Sequence, residues 1–63
     1  MNPKEKAIDL YGYYYELVAD TPDPEWRAKD AAMTTVTEII WAMGGPIKSD
    51  KYWEEVLEEI KKL

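Results

Sequence analysis

A chain of 63 residues holds one domain at most, and such a domain buries only about 60% of the surface that its unfolded chain exposes. Cysteine and histidine are absent, which removes disulfides and makes a zinc site very unfavourable. The net charge of −5 argues against a protein that binds phosphate backbones. We therefore expect no direct nucleic-acid binding, and we expect self-association to supplement a small core.

The first predicted helix runs from about residue 3 to residue 19. Asn2 can cap its N-terminus, Pro3 suits the first helical position, and Glu5 completes a capping box. Gly12 lies in its interior at a cost of about 1 kcal/mol relative to alanine. We favour a tolerated glycine on an exposed face, and the alternative is close approach by a neighbouring backbone.

The apolar surface of this helix is about twice as wide as the ~100° stripe that a small domain needs. One face is predicted to point into the core: Ala7, Leu10, Tyr11, Tyr14, Leu17 and Val18. Ile8 and Tyr15 widen that face on one flank, and Tyr13 widens it on the other. Tyr13 and Tyr15 cannot both face one small core, so at least one is expected to contact a partner or to lie flat against a neighbouring connection.

A second helix is predicted over about residues 24–43. Asp23 is its expected cap, Pro24 takes the first helical position, and Gly44-Gly45-Pro46 ends it. Its predicted inward face comprises Ala28, Ala32, Val36, Ile39, Ile40 and Met43, flanked by Met33. The alanines predict close helix approach in the first half, and the larger side chains predict a filled core in the second.

The third helix is predicted over about residues 50–63, with Ser49 as its cap and Ile47 as an apolar plug before it. Its apolar positions have helical spacing: Tyr52, Trp53, Val56, Leu57, Ile60 and Leu63. The prediction is therefore an all-α fold: a small three-helix unit with short Pro/Gly connections that self-associates.

Little in the chain predicts chemistry. Carboxylate di-metal helices normally carry a Glu-x-x-His element, which this chain lacks, so the third helix's glutamates are interpreted as a solvated face. Gly44-Gly45 ends a helix, whereas a phosphate-binding loop would begin one. We predict no enzyme, with no catalytic, metal-binding or cofactor-binding residue. The absence of a signal-peptide region and of a ~20-residue apolar run predicts a cytoplasmic protein without membrane contact.

A contact surface is the better prediction. Trp41 lies about 140° from Val36, the centre of the second helix's core face, and tryptophan is enriched at interface hot spots. We favour an interface for Trp41, and the alternative is packing within the chain. Trp26 is expected to pack on the proline linker and Trp53 to lie in the core. The candidate interface residues are Tyr13, Tyr15, Trp41 and Tyr52.

Three segments of the chain form a pattern together: Lys4-Glu5-Lys6-Ala7 with Leu10 and Tyr14-Tyr15; Ala28-Lys29 with Val36-Thr37-Glu38-Ile39-Ile40; and Tyr52-Trp53-Glu54-Glu55-Val56 with Glu59-Ile60 and Lys62-Leu63. This pattern resembles a group of very short proteins common in phages and prophages, particularly of the Bacteroidetes. The match spans nearly the whole chain apart from the two connections. Tyr14 departs from the group's phenylalanine, so its extra hydroxyl needs a hydrogen-bond partner if it is buried.

The resemblance implies a phage accessory protein and carries over no catalytic or ligand-binding residue. By analogy with phage proteins of this size, we expect it to bind and inhibit a host protein, such as a defence component, in the host cytoplasm. A second hypothesis is an oligomeric sponge for a nucleotide-like signal, whose phosphates would meet Arg27, Lys29 or Lys48. A third is a structural phage accessory with no separate target.

Overall fold

The computed structural model describes residues 1–63, which fold into three α-helices and no strand. The helices are α1 (Pro3–Val18), α2 (Pro24–Ala42) and α3 (Lys51–Lys61). The predicted all-α class and the three helices are confirmed, and every helix end lies within two residues of its predicted position. None of the three helices combines the length and apolarity that a membrane crossing needs.

The start of α1 is the predicted capping box. The Asn2 side chain accepts a hydrogen bond from the Glu5 backbone N–H at 2.8 Å, and the Glu5 carboxylate accepts one from the Asn2 backbone N–H at 3.0 Å. Two of the otherwise unpaired N–H groups at the helix start are thereby satisfied. Helix α1 therefore begins at Pro3, as residues 2–5 predict.

The end of α2 is a Schellman turn built on two glycines. The Gly45 N–H donates to the Ile40 carbonyl and the Gly44 N–H donates to the Trp41 carbonyl, both at 3.0 Å. Gly44 and Gly45 have φ of +105° and +94°, a region that side-chain-bearing residues rarely adopt. The glycines therefore stop the helix sharply and turn the chain toward α3.

Two predicted caps differ from the structure. Asp23 precedes α2 as expected, but it adopts a left-handed φ of 53° and its side chain makes no capping hydrogen bond. Ser49 is not the cap of α3, because the Asp50 side chain accepts the Tyr52 N–H at 3.0 Å instead. The Ser49 N–H bonds the Gly45 carbonyl at 2.9 Å, which makes Ser49 part of the turn after α2.

Three contacts between helices define an up-down-up arrangement. The hydroxyls of Tyr14 in α1 and Thr35 in α2 share a hydrogen bond of 2.6 Å. The Lys29 ammonium of α2 donates to main-chain carbonyls at the end of α3, at 2.9 Å and 3.2 Å. The Tyr52 hydroxyl of α3 donates to the Met1 carbonyl at 3.0 Å. The N-termini of α1 and α3 therefore lie together, at the C-terminal end of α2.

The core is small, and alanine makes up much of it. Its fully buried apolar residues are Ala7, Ala28, Ala32, Val36, Ile40, Val56 and Ile60. The buried residues of α2 are alanines in its first half and larger residues in its second, in the order that its predicted inward face has them. Trp53, predicted as core, is half-buried at the edge of this cluster.

Three residues that were predicted to be inside are exposed. Leu17 is 63% exposed, Met43 44% and Ile47 97%, so Ile47 does not plug the turn before α3. At 1.5 Å per residue, α3 is only about 16 Å long, against about 24 Å for α1 and 28 Å for α2. Because α3 starts level with α1 and is shorter, it cannot cover the last turn of α1, which leaves Leu17 in water.

Candidate interaction surface

The surface of this protein carries more large apolar side chains than its core. Only Val36, Ile40, Val56 and Ile60 are both larger than alanine and fully buried. Nine large apolar residues are exposed by 44 to 97%: Met1, Ile8, Tyr13, Leu17, Trp26, Trp41, Met43, Ile47 and Leu63. Scattered apolar surface is ordinary, but tryptophans and tyrosines exposed by more than 60% are unusual candidates for contact.

Tyr13 is the exposed tyrosine of α1, at 61%. Its ring meets the neighbouring Tyr14 ring edge-on, with centroids 5.2 Å apart and planes at 80°. Tyr14 is in turn fixed by its hydrogen bond to Thr35. Tyr13 therefore presents a ring steadied by a neighbour that is itself anchored to α2, which lowers the entropy lost on binding.

Tyr15 occupies the opposite flank of α1 and is half-buried. Its ring centroid lies 6.0 Å from that of Tyr11, with the planes tilted by 36°. Burial raises the pKa of the Tyr11 phenol above its ordinary 10.0, and the charges of Glu25 and Tyr15 add to this shift. Tyr15 therefore packs beside Tyr11 of its own helix, and Tyr13 is the more exposed of the two tyrosines.

Trp41 is 63% exposed at the end of α2, and its ring lies against the turn that follows. A Cβ added to Gly45 would come within 3.0 Å of the ring atom Cζ3 and 3.3 Å of Cε3. The ring is therefore supported by the Gly45 backbone while most of its surface faces water. A contact within the chain holds Trp41, yet the side chain stays available to a partner.

Tyr52 is half-buried and links the ends of two helices. Its ring meets Trp53 edge-on at 5.2 Å, and its hydroxyl is committed to the Met1 carbonyl. Of the four predicted interface residues, Tyr13 and Trp41 are thus well exposed, while Tyr15 and Tyr52 are partly used by the fold. No ring pair joins the α1 tyrosines to Trp41 or Tyr52.

Trp26 was predicted to pack on the proline linker, but 67% of it is exposed. It lies in the first turn of α2 and, with Asp23, Pro24 and Glu25, lines a shallow depression of about 320 Å³. On the α2 wheel Trp26 sits about 80° from Val36, which is a flank position. Together with the shortness of the third predicted helix, that angle is the signal in the sequence that could have marked Trp26 as exposed.

The basic residues of the nucleotide-sponge hypothesis do not converge within one chain. Arg27 donates to the Pro22 carbonyl at 2.7 Å, and Lys29 donates to the C-terminal carbonyls of α3. Lys48 follows the opposite end of α2, about 22 Å further along at the rise of an α-helix. A phosphate bound by all three would need more than one copy of the chain, and that hypothesis stays a prediction.

The outer face of α3 is acidic and solvated. A shallow depression of about 330 Å³ is lined only by charged residues: Lys51, Glu54, Glu55, Glu58, Glu59 and Lys62. Lys61 pairs with Glu58 at 3.4 Å and Lys62 with Glu59 at 3.1 Å, and exposed pairs of this kind contribute little stability. No three acidic side chains are grouped so that they could hold a metal ion.

Comparison with family models, curated proteins and solved structures finds no match to this chain. The exposed aromatic and aliphatic side chains on α1 and α2 are the main functional signal in the structure.

Proposed function

We propose that this protein is a small helical interaction protein that works by covering its exposed aromatic and aliphatic surface with another protein. The observation that carries the proposal is the imbalance between nine large apolar residues that are exposed and four that are fully buried. Each exposed tryptophan or tyrosine offers on the order of 100 Å² or more to a partner. Tyr13 and Trp41 are both exposed and partly held in place, which suits an anchor residue.

The partner that we propose is a host protein, and the proposed effect is its inhibition. The resemblance to short phage and prophage proteins supports this class of partner, and a defence component is the specific target that it suggests. The net charge of −5 supports a partner with a basic surface, because opposite charges steer association. Self-association is part of the proposal, since Trp26 and Trp41 of α2 are exposed by 67% and 63% in a single chain.

Affinity capture from a Bacteroidetes lysate tests the host interaction. The immobilised protein is compared with the Tyr13→Ala and Trp41→Ala variants and with Glu55→Gln as a control on the acidic face. We expect one or more host proteins to bind the wild type and the control and to be depleted roughly tenfold on each aromatic variant. An identical set of captured proteins on all four would contradict the proposal.

Two measurements complete this test. Circular dichroism checks that each variant keeps its helical signal, and Tyr13→Ala keeps the test decisive if loss of Trp41 loosens the turn at Gly45. Light scattering at several protein concentrations tests self-association, where we expect the mass to rise above that of one chain. A monomer at every concentration would remove self-association and leave host binding to be judged by the capture.

A further inference from the structure

A groove runs along the face of α1 that points away from the core. Its lining residues are Ile8, Asp9, Gly12, Tyr13 and Glu16, around a depression of about 370 Å³. Ile8 is 51% and Tyr13 61% exposed, so two of the five residues that line this shallow groove offer apolar surface to water. Gly12 forms its floor because it has no side chain to fill the space between them.

The fold of the chain does not require glycine at position 12. Gly12 has no positive φ, and a Cβ placed on it would meet no atom within 4 Å. Glycine is nevertheless among the poorest residues in a helix interior, second only to proline. The close approach by a neighbour that would explain Gly12 is therefore absent within the chain, and the space above it is open to another molecule.

The shape of the groove suits a helix. Four of its residues, Asp9, Gly12, Tyr13 and Glu16, have the spacing i, i+3, i+4 and i+7 of a hole that receives a side chain from a packed helix, and Ile8 lies beside them. A glycine among the four residues of such a hole allows the two helix axes to come closer than any larger residue would. A partner helix can therefore seat an apolar side chain over Gly12 with Ile8 and Tyr13 on its two sides.

The negative charge of the groove favours an occupant with positively charged side chains. The Asp9 carboxylate is paired only with Lys6, at 3.8 Å and with Asp9 half exposed, and Glu16 forms no ion pair. A second copy of α1 would bring its own Asp9 and Glu16 against these carboxylates, which is unfavourable. Lysine or arginine side chains on the occupant would instead pair with both.

We propose that this groove docks a cationic amphipathic helix of the partner protein. An apolar side chain of that helix lies over Gly12, and its basic side chains meet Asp9 and Glu16. The inference rests on the proposed function and adds to it a site and the chemistry of the partner.

A synthetic helix tests the docking chemistry directly. The probe is a fluorescent peptide of about 18 residues, built from Leu, Ala and Lys with helical spacing, and its match has Glu in place of Lys. Fluorescence anisotropy should show binding of the Lys peptide and not of the Glu peptide. We expect Gly12→Leu to weaken binding roughly tenfold or more, and Asp9→Asn with Glu16→Gln to weaken it severalfold and reduce its salt dependence. Equal binding of both peptides, or unchanged binding by Gly12→Leu, would overturn the proposal.

Gly12→Ala separates docking from folding. Alanine is the better helix former and has room for its Cβ, so the midpoint of thermal unfolding should rise by roughly 4–8 °C. The same methyl group should weaken binding of the Lys peptide, so stability and binding move in opposite directions. A variant that is both more stable and an undiminished binder overturns the proposal.

The groove can fail while the proposed function stands. Capture of a host protein that depends on Trp41 but not on Gly12 would overturn the groove and retain the interaction protein. If Gly12→Leu instead breaks an oligomer seen by light scattering, the occupant is a second copy, which overturns the choice of a cationic partner.

Discussion

Helices α1 and α3 both pack on α2, yet they distribute their apolar side chains differently. In α3, Val56 and Ile60 are fully buried, and the opposite face carries glutamates and lysines. In α1 the only fully buried residue is Ala7, while Ile8 and Tyr13 point outward. The short helix α3 is one-sided, whereas the longer α1 is apolar on two sides.

The difference separates residues that stabilise the fold from residues that are free for contact. The large apolar side chains of α3 pack in the core or against it, and its opposite face carries charged residues that contact water. The core side of α1 contributes through half-buried residues such as Leu10 and Tyr14, which pack against the central cluster. Its outer side contributes little to folding, which is why we assign it to binding.

Replacing Ile60 of α3 and Ile8 of α1 should give the largest difference in stability between the two helices. Ile60→Ala removes a fully buried side chain of α3 and should lower the free energy of unfolding by about 2–5 kcal/mol. A domain of this size has only about 3–9 kcal/mol in total, so this variant should be largely unfolded or close to it. Ile8→Ala, on the outer face of α1, should cost less than about 0.5 kcal/mol. Urea unfolding followed by circular dichroism measures both.

The contrast would break if the two variants lost similar stability. Ile8 is 51% exposed in a single chain, so a large cost at this position would mean that another copy covers the outer face of α1 in solution. Repeating the unfolding at several protein concentrations would then show a midpoint that depends on concentration.

The sequence predicted the helices well because their ends carry strong local signals. The capping box at Asn2 and the glycine turn after α2 use side chains and backbone preferences within a few residues. The predicted cap of the third helix, Ser49, was wrong, because Ser49 and Asp50 are adjacent and both residue types can cap. The Asp50 carboxylate makes the capping hydrogen bond. The local sequence does not show which of these two adjacent residues will do so.

The burial of α1 was harder to predict because a helix that is apolar nearly all round has no unique inward face. Leu17 lies close enough to the core direction on the wheel, but α3 ends before it can cover the last turn of α1. Burial there depends on the relative lengths and offsets of three helices. Helical spacing predicts which way a side chain points and leaves open whether a neighbour reaches it.

The same limit applies to the candidate site. Helical spacing placed Tyr13 on a flank of the core face and Trp41 away from it, and both are exposed in the structure. It could not show that Tyr52 is tied to the Met1 carbonyl or that Trp41 rests on Gly45, because these contacts join residues of different segments. The groove at Gly12 could not be predicted either, because only the structure shows that no other part of the chain fills the space above Gly12.

Two adjacent tyrosines of α1 give a test of intermediate size. Tyr14→Phe removes the hydroxyl that bonds Thr35 at 2.6 Å and should cost about 0.5–1.5 kcal/mol of unfolding free energy. Tyr13→Phe is the control, because the exposed Tyr13 hydroxyl makes no hydrogen bond within the chain and its loss should be nearly neutral. The double variant Tyr14→Phe with Thr35→Val should recover part of the cost, since no hydroxyl is then left without its partner. Equal stability of Tyr14→Phe and wild type in urea would mean that the side of α1 facing α2 is as loosely held as its outer side.

The titration of Tyr11 should have the smallest effect on stability. It tests whether the inner side of α1 lies close to the first turn of α2. Burial, with the charges of Glu25 and Tyr15, raises the pKa of Tyr11 in the folded chain above 10.0. The folded state therefore holds this proton more tightly than the unfolded state, so stability is unaffected well below pH 10.0 and falls as pH rises through the folded pKa. Tyr11→Phe should remove this fall, and Glu25→Gln should reduce it by lowering the pKa of Tyr11 toward 10.0.

The difference between the tyrosinate absorbance titrations of the wild type and Tyr11→Phe isolates the Tyr11 phenol, and urea unfolding across the same pH range gives the stability. Because Tyr11 is only half-buried, water screens the charge of Glu25 and the shift should be modest. If Glu25→Gln leaves the titration of Tyr11 unchanged, the first turn of α2 does not stay close to α1 in solution. In that case both sides of α1 beyond the end of α3 would be open, and the contact surface would extend from Tyr13 around to Tyr11.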